Sequence, residues 1–354
     1  MQRRRFCQAT LLAGGALALT PWLRAAASEL RARTTDGRDL AIPVSSVEDL
    51  AAGLRGPLLL PGNAAYDEAR QVLNPTIDKH PALIVQPSGV ADVMRAVQFA
   101  RDHRLPTAVK CGGHSASGNG TVNGGLQVDL SRFRHVRVDP QRRLAFVSGG
   151  SLLGAMDHET LAHGLVTTAG TVSHTGVGGL ATGGGFGRLG RKFGLTLDNI
   201  RAVEVVSADG KLRRASADEY RDLYWGVRGG GSNFGVVTGF EFQLHPMKRE
   251  VLLGNFVYPY ARLRDALEFY AEFAARAPDE LQVDMVFGFP PGNDQGFVFF
   301  QNVYCGAEAE GRKLLKKYAQ LGKPVRESLE MSDYEALQRS GDWDAPRSTA
   351  TYMK

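Results

Sequence analysis

Cysteine is scarce in this 354-residue sequence, with three in all. Cys7 falls in the first, atypical segment, and Cys111 and Cys305 lie far apart. Two such residues build no disulfide framework, and no Cys/His cluster has zinc spacing, so no metal is expected. Surplus charge of one sign is missing too. The formal charge is +5, and setting aside the four arginines of residues 1–27, which include no acid, leaves +1. Phosphate binding needs clustered cations, so a nucleic-acid partner is set aside. Long hydrophobic runs are also absent. The uncharged stretch "FCQATLLAGGALALTPWL" is rich in Gly and Ala and short at its apolar heart, so no stable membrane anchor is expected. What is present is a globular composition, 43% hydrophobic and 22% charged, long enough for two domains.

Residues 1–27 read as an export signal: Arg3 to Arg5 form a positive start, and Ala25-Ala26-Ala27 offers a cleavage site. "RRRF" also fits the twin-arginine pattern, with Arg3 and Arg4 as the pair. An ordinary secretory signal with a chance arginine cluster is the alternative. Either route places the mature protein in a periplasm or outside the cell.

Residues 28–74 are polar and mixed, and read as a leader lying over the first domain. A β-α-β unit follows: "ALIV" as a strand, Val90, Val93, Met94 and Val97 at helical spacing, then "TAVK" as a strand. Hairpins are expected at Asp139-Pro140 and Asp209-Gly210, and Val236 to Leu244 alternate as a strand. Strands and helices mix without a regular order, which makes the class α+β. Of the 42 glycines, 27 lie between Gly112 and Gly239, and the composition then shifts to aromatic strands and charged helices. The boundary is therefore placed near Met247, giving domains over 75–247 and 248–354.

The second strand of the β-α-β unit runs straight into "CGGHSASGNG". Gly112 and Gly113 let another molecule approach the chain, while Ser115, Ser117 and Asn119 favour turns. His114 is then either a turn histidine facing water or a neighbour of a ligand. A second glycine loop, "HTGVGGLATGGGFG", contains Gly176-x-Gly178 with Ala181 in sixth place and Asp198 some twenty residues on. That is a partial dinucleotide fingerprint of an NAD-dependent dehydrogenase, but no convincing strand leads into Gly176. Two glycine loops in one domain can instead cradle a pyrophosphate between backbone N–H groups.

"KCGGHSASGNG", "HTGVGGLATGGGFGRLGRKFGLTLDNI" and "DLYWGVRGGGSNFGVVTGFEFQLHP" resemble three successive signatures of the FAD-linked oxidase superfamily. This is the group of p-cresol methylhydroxylase and vanillyl-alcohol oxidase, and the nearest branch resembles berberine bridge enzyme. The resemblance implies FAD held in a two-subdomain domain of the p-cresol methylhydroxylase type. A second α+β domain, with an antiparallel sheet, would hold a small-molecule substrate.

Within that resemblance, His114 matches the histidine bonded to the flavin 8α-methyl group. Gly112, Gly113, Ser115, Ala116, Gly118 and Asn119 match the loop around the pyrophosphate. Thr175, Gly176, Gly178, Gly179, Gly183, Gly184, Phe186 and Gly187 match the second loop, and Val237 the third signature. Val172 stands where many relatives carry a second flavin-linking cysteine, so a single covalent bond, through His114 only, is implied. Thr175 falls where a flavin neighbour influences oxygen access. The implied activity takes hydride from a C–H bond beside O or N of an alcohol, sugar or amine. Electrons then pass to O2 or another acceptor.

Relatives continue beyond the point matched by Lys354, so the substrate domain reads as incomplete and the catalytic base is expected beyond that residue. A truncated, catalytically inactive flavin-binding remnant is the alternative. Tyr258, Tyr260 and Tyr304 are candidates to line a pocket, although aromatics on strands are more often core. His174 is a candidate beside the flavin loop, weighed towards a structural role.

Overall fold

The computed structural model describes residues 29–290, 292 and 294–342. The export-signal segment and the terminal "RSTATYMK" lie outside the described residues.

The chain begins with a hairpin, β1 (Glu29–Arg33) and β2 (Asp39–Pro43), with Leu30 opposite Ile42. α1 (Val44–Gly53), β3 (Leu58–Leu59) and α2 (Tyr66–Arg70) follow. This stretch was expected to be a leader, and the structure makes it part of the first subdomain. β3 pairs with β4 (Leu83–Val85), and Ala32, Ile42, Val47 and Leu50 share one core with Leu83, Val85 and Val93. The hairpin contributes only Ala32 and Ile42 as fully buried apolar residues, so its sequence looks polar.

α3 (Val90–Asp102) turns Val93, Ala96, Phe99 and Ala100 inward, the spacing of an amphipathic helix. Asp92 in its first turn is buried. Its carboxylate accepts the amides of Arg55, Gly56 and Ser88 at 3.0, 3.0 and 2.8 Å, which ties the preceding segment to the helix. β5 (Thr107–Lys110) completes the β-α-β unit, but β6 (Leu126–Asp129) lies between its two strands. The sheet order is β3-β4-β6-β5, with β6 parallel to both neighbours.

The second subdomain is built on β7 (Val136–Asp139), β8 (Leu144–Ser148), α4 (Leu153–Leu161) and β9 (Leu165–Val166). It continues through α5 (Val177–Thr182), α6 (Gly190–Phe193), β10 (Ile200–Val206) and β11 (Leu212–Ser216). α7 (Arg221–Val227), β12 (Val236–Gln243) and β13 (His245–Pro246) close it. Its antiparallel sheet runs β11-β10-β12-β8-β7. Both expected hairpins form, β7 with β8 and β10 with β11. β12 buries Val236, Thr238, Phe240 and Phe242 on one face, as its alternation predicts.

The third region holds β14 (Glu250–Pro259), α8 (Leu263–Ala275), β15 (Leu281–Gly288), β16 (Phe297–Tyr304) and α9 (Glu308–Leu315). Two further elements, β17 (Arg326–Asp333) and α10 (Tyr334–Arg339), were not expected from the sequence. β17 joins β14 to complete an antiparallel order β15-β16-β14-β17. It is a polar edge strand bearing Arg326, Glu327, Glu330 and Asp333, so it lacks a buried apolar face.

Helix α10 folds back on α4. Leu161 and Val166 pack with Met247, Val251, Val303, Tyr334 and Leu337, so the boundary at Met247 is a buried seam. Asp157 of α4 is buried in the same region and accepts a hydrogen bond from Gln338 Nε2 at 3.3 Å. Burial pushes its carboxyl up to about 7.

Candidate functional site

β5 delivers the chain directly into the first glycine loop, and the second loop meets it backbone to backbone. A Cβ on Gly112 would lie 2.4 Å from the nitrogen of Gly176, and one on Gly176 would lie 2.3 Å from Cys111 Sγ. A Cβ on Gly178 would lie 2.5 Å from the carbonyl oxygen of Gly149. Glycine at these positions is a packing requirement. Gly113 has φ +73°, a left-handed conformation suited to a residue without Cβ. The amides of Gly113, His114, Ser115 and Ala116 receive no backbone carbonyl among the described residues. Consecutive N–H groups beside a left-handed glycine form a nest for an anionic oxygen.

Between the loops lies a cavity of ≈ 450 Å³. Gly112, Gly113, His114, Ser115 and Asn119 line it from the first loop, and Thr175, Gly176, Gly178 and Gly179 from the second. Val237 of β12 lines it from the sheet. Gly179 would meet nothing within 4 Å if it carried a Cβ, so its absent side chain leaves space inside the cavity.

Six predicted residues are not brought to this lining. Ala116 and Gly118 turn their carbonyls to Asn74 and Lys79, at 2.9 Å each. Gly183 and Gly184 follow α5, and Phe186 is 79% exposed. Gly187 is required by packing, since a Cβ there would lie 1.7 Å from the carbonyl oxygen of Ala169.

Other lining residues were missed, among them Lys110, Leu130, Gly149, Leu180, Thr182, Gly231 and Gly235. Gly231 and Gly235 belong to the third glycine signature, which carried the signal without pointing to them. Lys110 Nζ stands 3.7 Å from buried Asp129 Oδ2.

His114 is half-buried at the junction of this cavity with a second one of ≈ 580 Å³, lined also by Arg132, Arg134 and His174. Its Nε2 is 2.7 Å from His174 Nδ1, and its Nδ1 is 3.3 Å from Thr175 Oγ1. Burial, with the His174 ring beside it, lowers the imidazole to about 4. His114 is therefore neutral at physiological pH and keeps one nitrogen lone pair for chemistry. Cys111 is also half-exposed by surface, but burial of its sulfur raises the thiol, so it is a poor nucleophile.

None of the tyrosines expected as pocket candidates lines the cavity between the glycine loops; Tyr304 lines a separate one of ≈ 540 Å³ in the third region. Tyr258 is 1% exposed and donates to the carbonyl of Tyr318, and burial pushes its hydroxyl up to about 12. Tyr304 is buried with its hydroxyl on Glu310 at 3.3 Å, and Tyr260 packs its ring on Phe289. The NAD-dependent reading fails on geometry. No strand of a sheet enters Gly176, and Asp198 accepts the amide of Leu195 at 2.8 Å. No metal-binding cluster occurs, and no helix is long and apolar enough to cross a membrane, among the described residues.

Residues 81–216 match the family described as an FAD binding domain. An FAD-linked oxidoreductase of Dictyostelium discoideum is 34% identical over 309 residues, which are 87% of this chain and 67% of that protein. Among solved structures, 6-hydroxy-D-nicotine oxidase from Arthrobacter nicotinovorans superposes with a TM-score of 0.76 at 28% identity. That match covers 80% of this chain and 63% of the other. A chitooligosaccharide oxidase gives a TM-score of 0.76 at 28% identity, covering 87% of this chain and 66% of its own. The chain thus spans about two thirds of the length of these relatives. The glycine loops that meet at Gly112 and Gly176 lie within the matched FAD binding domain, and the chain belongs to the FAD-linked oxidoreductases.

Proposed function

We propose that this protein is a flavin oxidase or dehydrogenase that holds FAD in the ≈ 450 Å³ cavity, bonded to the chain through His114 alone. The residues present fit the group. Three consecutive residues of the lining, Gly113 to Ser115, offer amide donors to a pyrophosphate, and the glycines of both loops let it approach the backbone. Val237 and Leu130 supply an apolar wall for a ring system. His114 reaches the same cavity as a neutral imidazole, the state in which it can act as a nucleophile. Val172 stands where many relatives carry the second linking cysteine, and Cys111, which also lines the cavity, has its thiol raised by burial and is a poor nucleophile.

When bound, FAD would supply hydride acceptance from a C–H bond beside O or N, with O2 or another acceptor reoxidising it. The chain's own part is to fix the ring edge at His114, anchor the phosphates on the first loop and shape the wall at Thr175 and Val237. The oxidase relatives act on a nicotine derivative and on oligosaccharides by their names, which favours a small organic substrate such as an alcohol, sugar or amine. The arginine-rich start further supports export, with Arg3 and Arg4 read as a twin-arginine pair and the protein folded around its cofactor before crossing.

The observation that carries the reading is the meeting of His114 with two glycine loops at one cavity. The test is to purify the protein, record its absorbance, and offer alcohols, sugars and amines under air and under an artificial acceptor. Flavin bands with substrate-dependent bleaching support the reading. A protein that takes up no FAD contradicts it.

A further inference from the structure

The ≈ 580 Å³ cavity meets the ≈ 450 Å³ one along Lys110, Cys111, Gly112 and His114, and no other lining residue is common to the two. Its charges are unevenly matched. Asp129 in its lining is fully buried and already satisfied. The carboxylate accepts Gln86 Nε2 at 2.9 Å and the Ser131 amide at 3.1 Å, and Lys110 Nζ stands 3.7 Å away. Arg132 and Arg134, by contrast, are exposed, and neither guanidinium has a hydrogen bond or ion pair among the described residues. Glu68 is the remaining acid of the lining, also exposed and in no ion pair among the described residues. The segment that carries the arginines is pinned. The Phe133 amide donates to the Leu130 carbonyl at 2.8 Å, and the Ser148 amide to that of His135 at 2.8 Å. A Cβ on Gly150 would lie 1.8 Å from the Leu130 oxygen, so the chain lies close against that glycine. Two unpaired guanidiniums on a fixed segment, beside a cavity of ligand size, make a site for an anion.

The place of the cavity narrows what that anion does. Under the reading of His114 as the flavin attachment point, on which this inference rests, the imidazole holds the benzenoid end of the ring. Hydride passes only in contact with the central ring, whereas electrons also leave from the benzenoid edge. A molecule seated at Arg132 and Arg134 therefore meets the flavin at the end suited to electron transfer alone. The geometry points to the ≈ 580 Å³ cavity as the docking site of a small anionic one-electron acceptor, anchored by Arg132 and Arg134. Substrate oxidation brings a hydride, two electrons and one proton, to the flavin. Two acceptor molecules in turn each take one electron at this site and are reduced. The proton that came with the hydride is released to water.

Ferricyanide is the probe acceptor, and hexacyanocobaltate(III) is its redox-inert match in charge and shape. Calorimetry on the flavin-loaded parent should show hexacyanocobaltate(III) bound in a single site. Arg132→Gln with Arg134→Gln should weaken that binding about tenfold. Arg264→Gln with Arg326→Gln removes the same charge from exposed positions of the third region and should bind as the parent does. In stopped flow, photoreduced flavin in the Arg132/Arg134 variant should reduce ferricyanide about tenfold more slowly at low salt, the gap closing as salt rises. Hexacyanocobaltate(III) should slow ferricyanide competitively and leave reoxidation by dioxygen alone. Both arginines are exposed and unpaired, so the fold survives their loss, and equal melting temperatures check it. No binding to the parent, or equal affinity in parent and Arg132/Arg134 variant, overturns the anion site. Binding that leaves the ferricyanide rate untouched, or slows dioxygen as much, overturns the acceptor role. A flavin mapped to a residue other than His114 would overturn the attachment reading and the acceptor role with it, while the calorimetry still decides the anion site.

Discussion

The nitrogen of Gly176 lies 2.4 Å from where a Cβ on Gly112 would sit, so the two glycine loops are held together by the absence of a methyl group. Gly112→Ala must force the loops apart. The expected cost is about 1–3 kcal/mol of stability, the usual range for overpacking, together with loss of FAD uptake. Gly179→Ala is the contrast, because nothing lies within 4 Å of its added methyl. It should leave the unliganded melting temperature within about 2 °C, a change of about 1 kcal/mol or less, while weakening FAD binding. Thermal melts with and without FAD separate the two effects.

Asp157 gives the seam between α4 and α10 a pH dependence. Its carboxyl is raised to about 7, by burial first and by the Glu335 charge, with Gln338 and Arg188 opposing. In the unfolded chain it titrates near the ordinary value of about 3.9. Between these values the folded state binds more protons, so this group's contribution to stability falls as pH rises from about 4 to about 7. Asp157→Asn removes the ionisation. Its melting temperature should exceed that of the parent by on the order of 2 °C at pH 8, with the gap closing towards pH 5. Equal gaps at both pH values would refute the assignment.

A buried hydroxyl–amide pair lies in the core of the third region. Tyr318 Oη donates to Asn302 Oδ1 at 2.9 Å, and both residues are at most 1% exposed. Tyr318→Phe leaves the Asn302 carbonyl unpaired, which should cost about 1–3 kcal/mol in a denaturant titration. Flavin content should be unchanged, because Tyr318 packs in the aromatic cluster with Phe256, Phe269 and Phe300, away from the glycine loops.

Export is tested at Arg3 and Arg4. Changing both to Lys should trap precursor inside the cell if the protein folds around FAD before crossing. Unimpaired export of that variant would point to the general secretory route.

Much of the flavin region was legible because it depends on glycine and on short-range pattern. The loop beginning at Gly112 and the hairpins at Asp139-Pro140 and Asp209-Gly210 announce themselves through turn residues. The cavity lining was half legible. Gly183, Gly184 and Gly187 read as ligand glycines, yet Gly187 answers to the carbonyl of Ala169. Leu130 and Gly149 line the cavity from elements that carry no motif. The hairpin of β1 and β2 looked like a leader because two buried residues, Ala32 and Ile42, are too few to set a period. β17 stayed hidden because an edge strand needs no apolar face. His174 was the hardest to weigh, since its meaning lies in the ring 2.7 Å away and sixty residues earlier in sequence.

The central claim is that His114 carries the flavin, and the measurement is a peptide map of the acid-precipitated protein. The account predicts a yellow precipitate and one flavin-bearing tryptic peptide, modified at His114. His114→Ala should yield a colourless precipitate from a protein that still binds FAD loosely. Flavin bonded to any other residue, or flavin wholly released from the parent chain by acid, would contradict it.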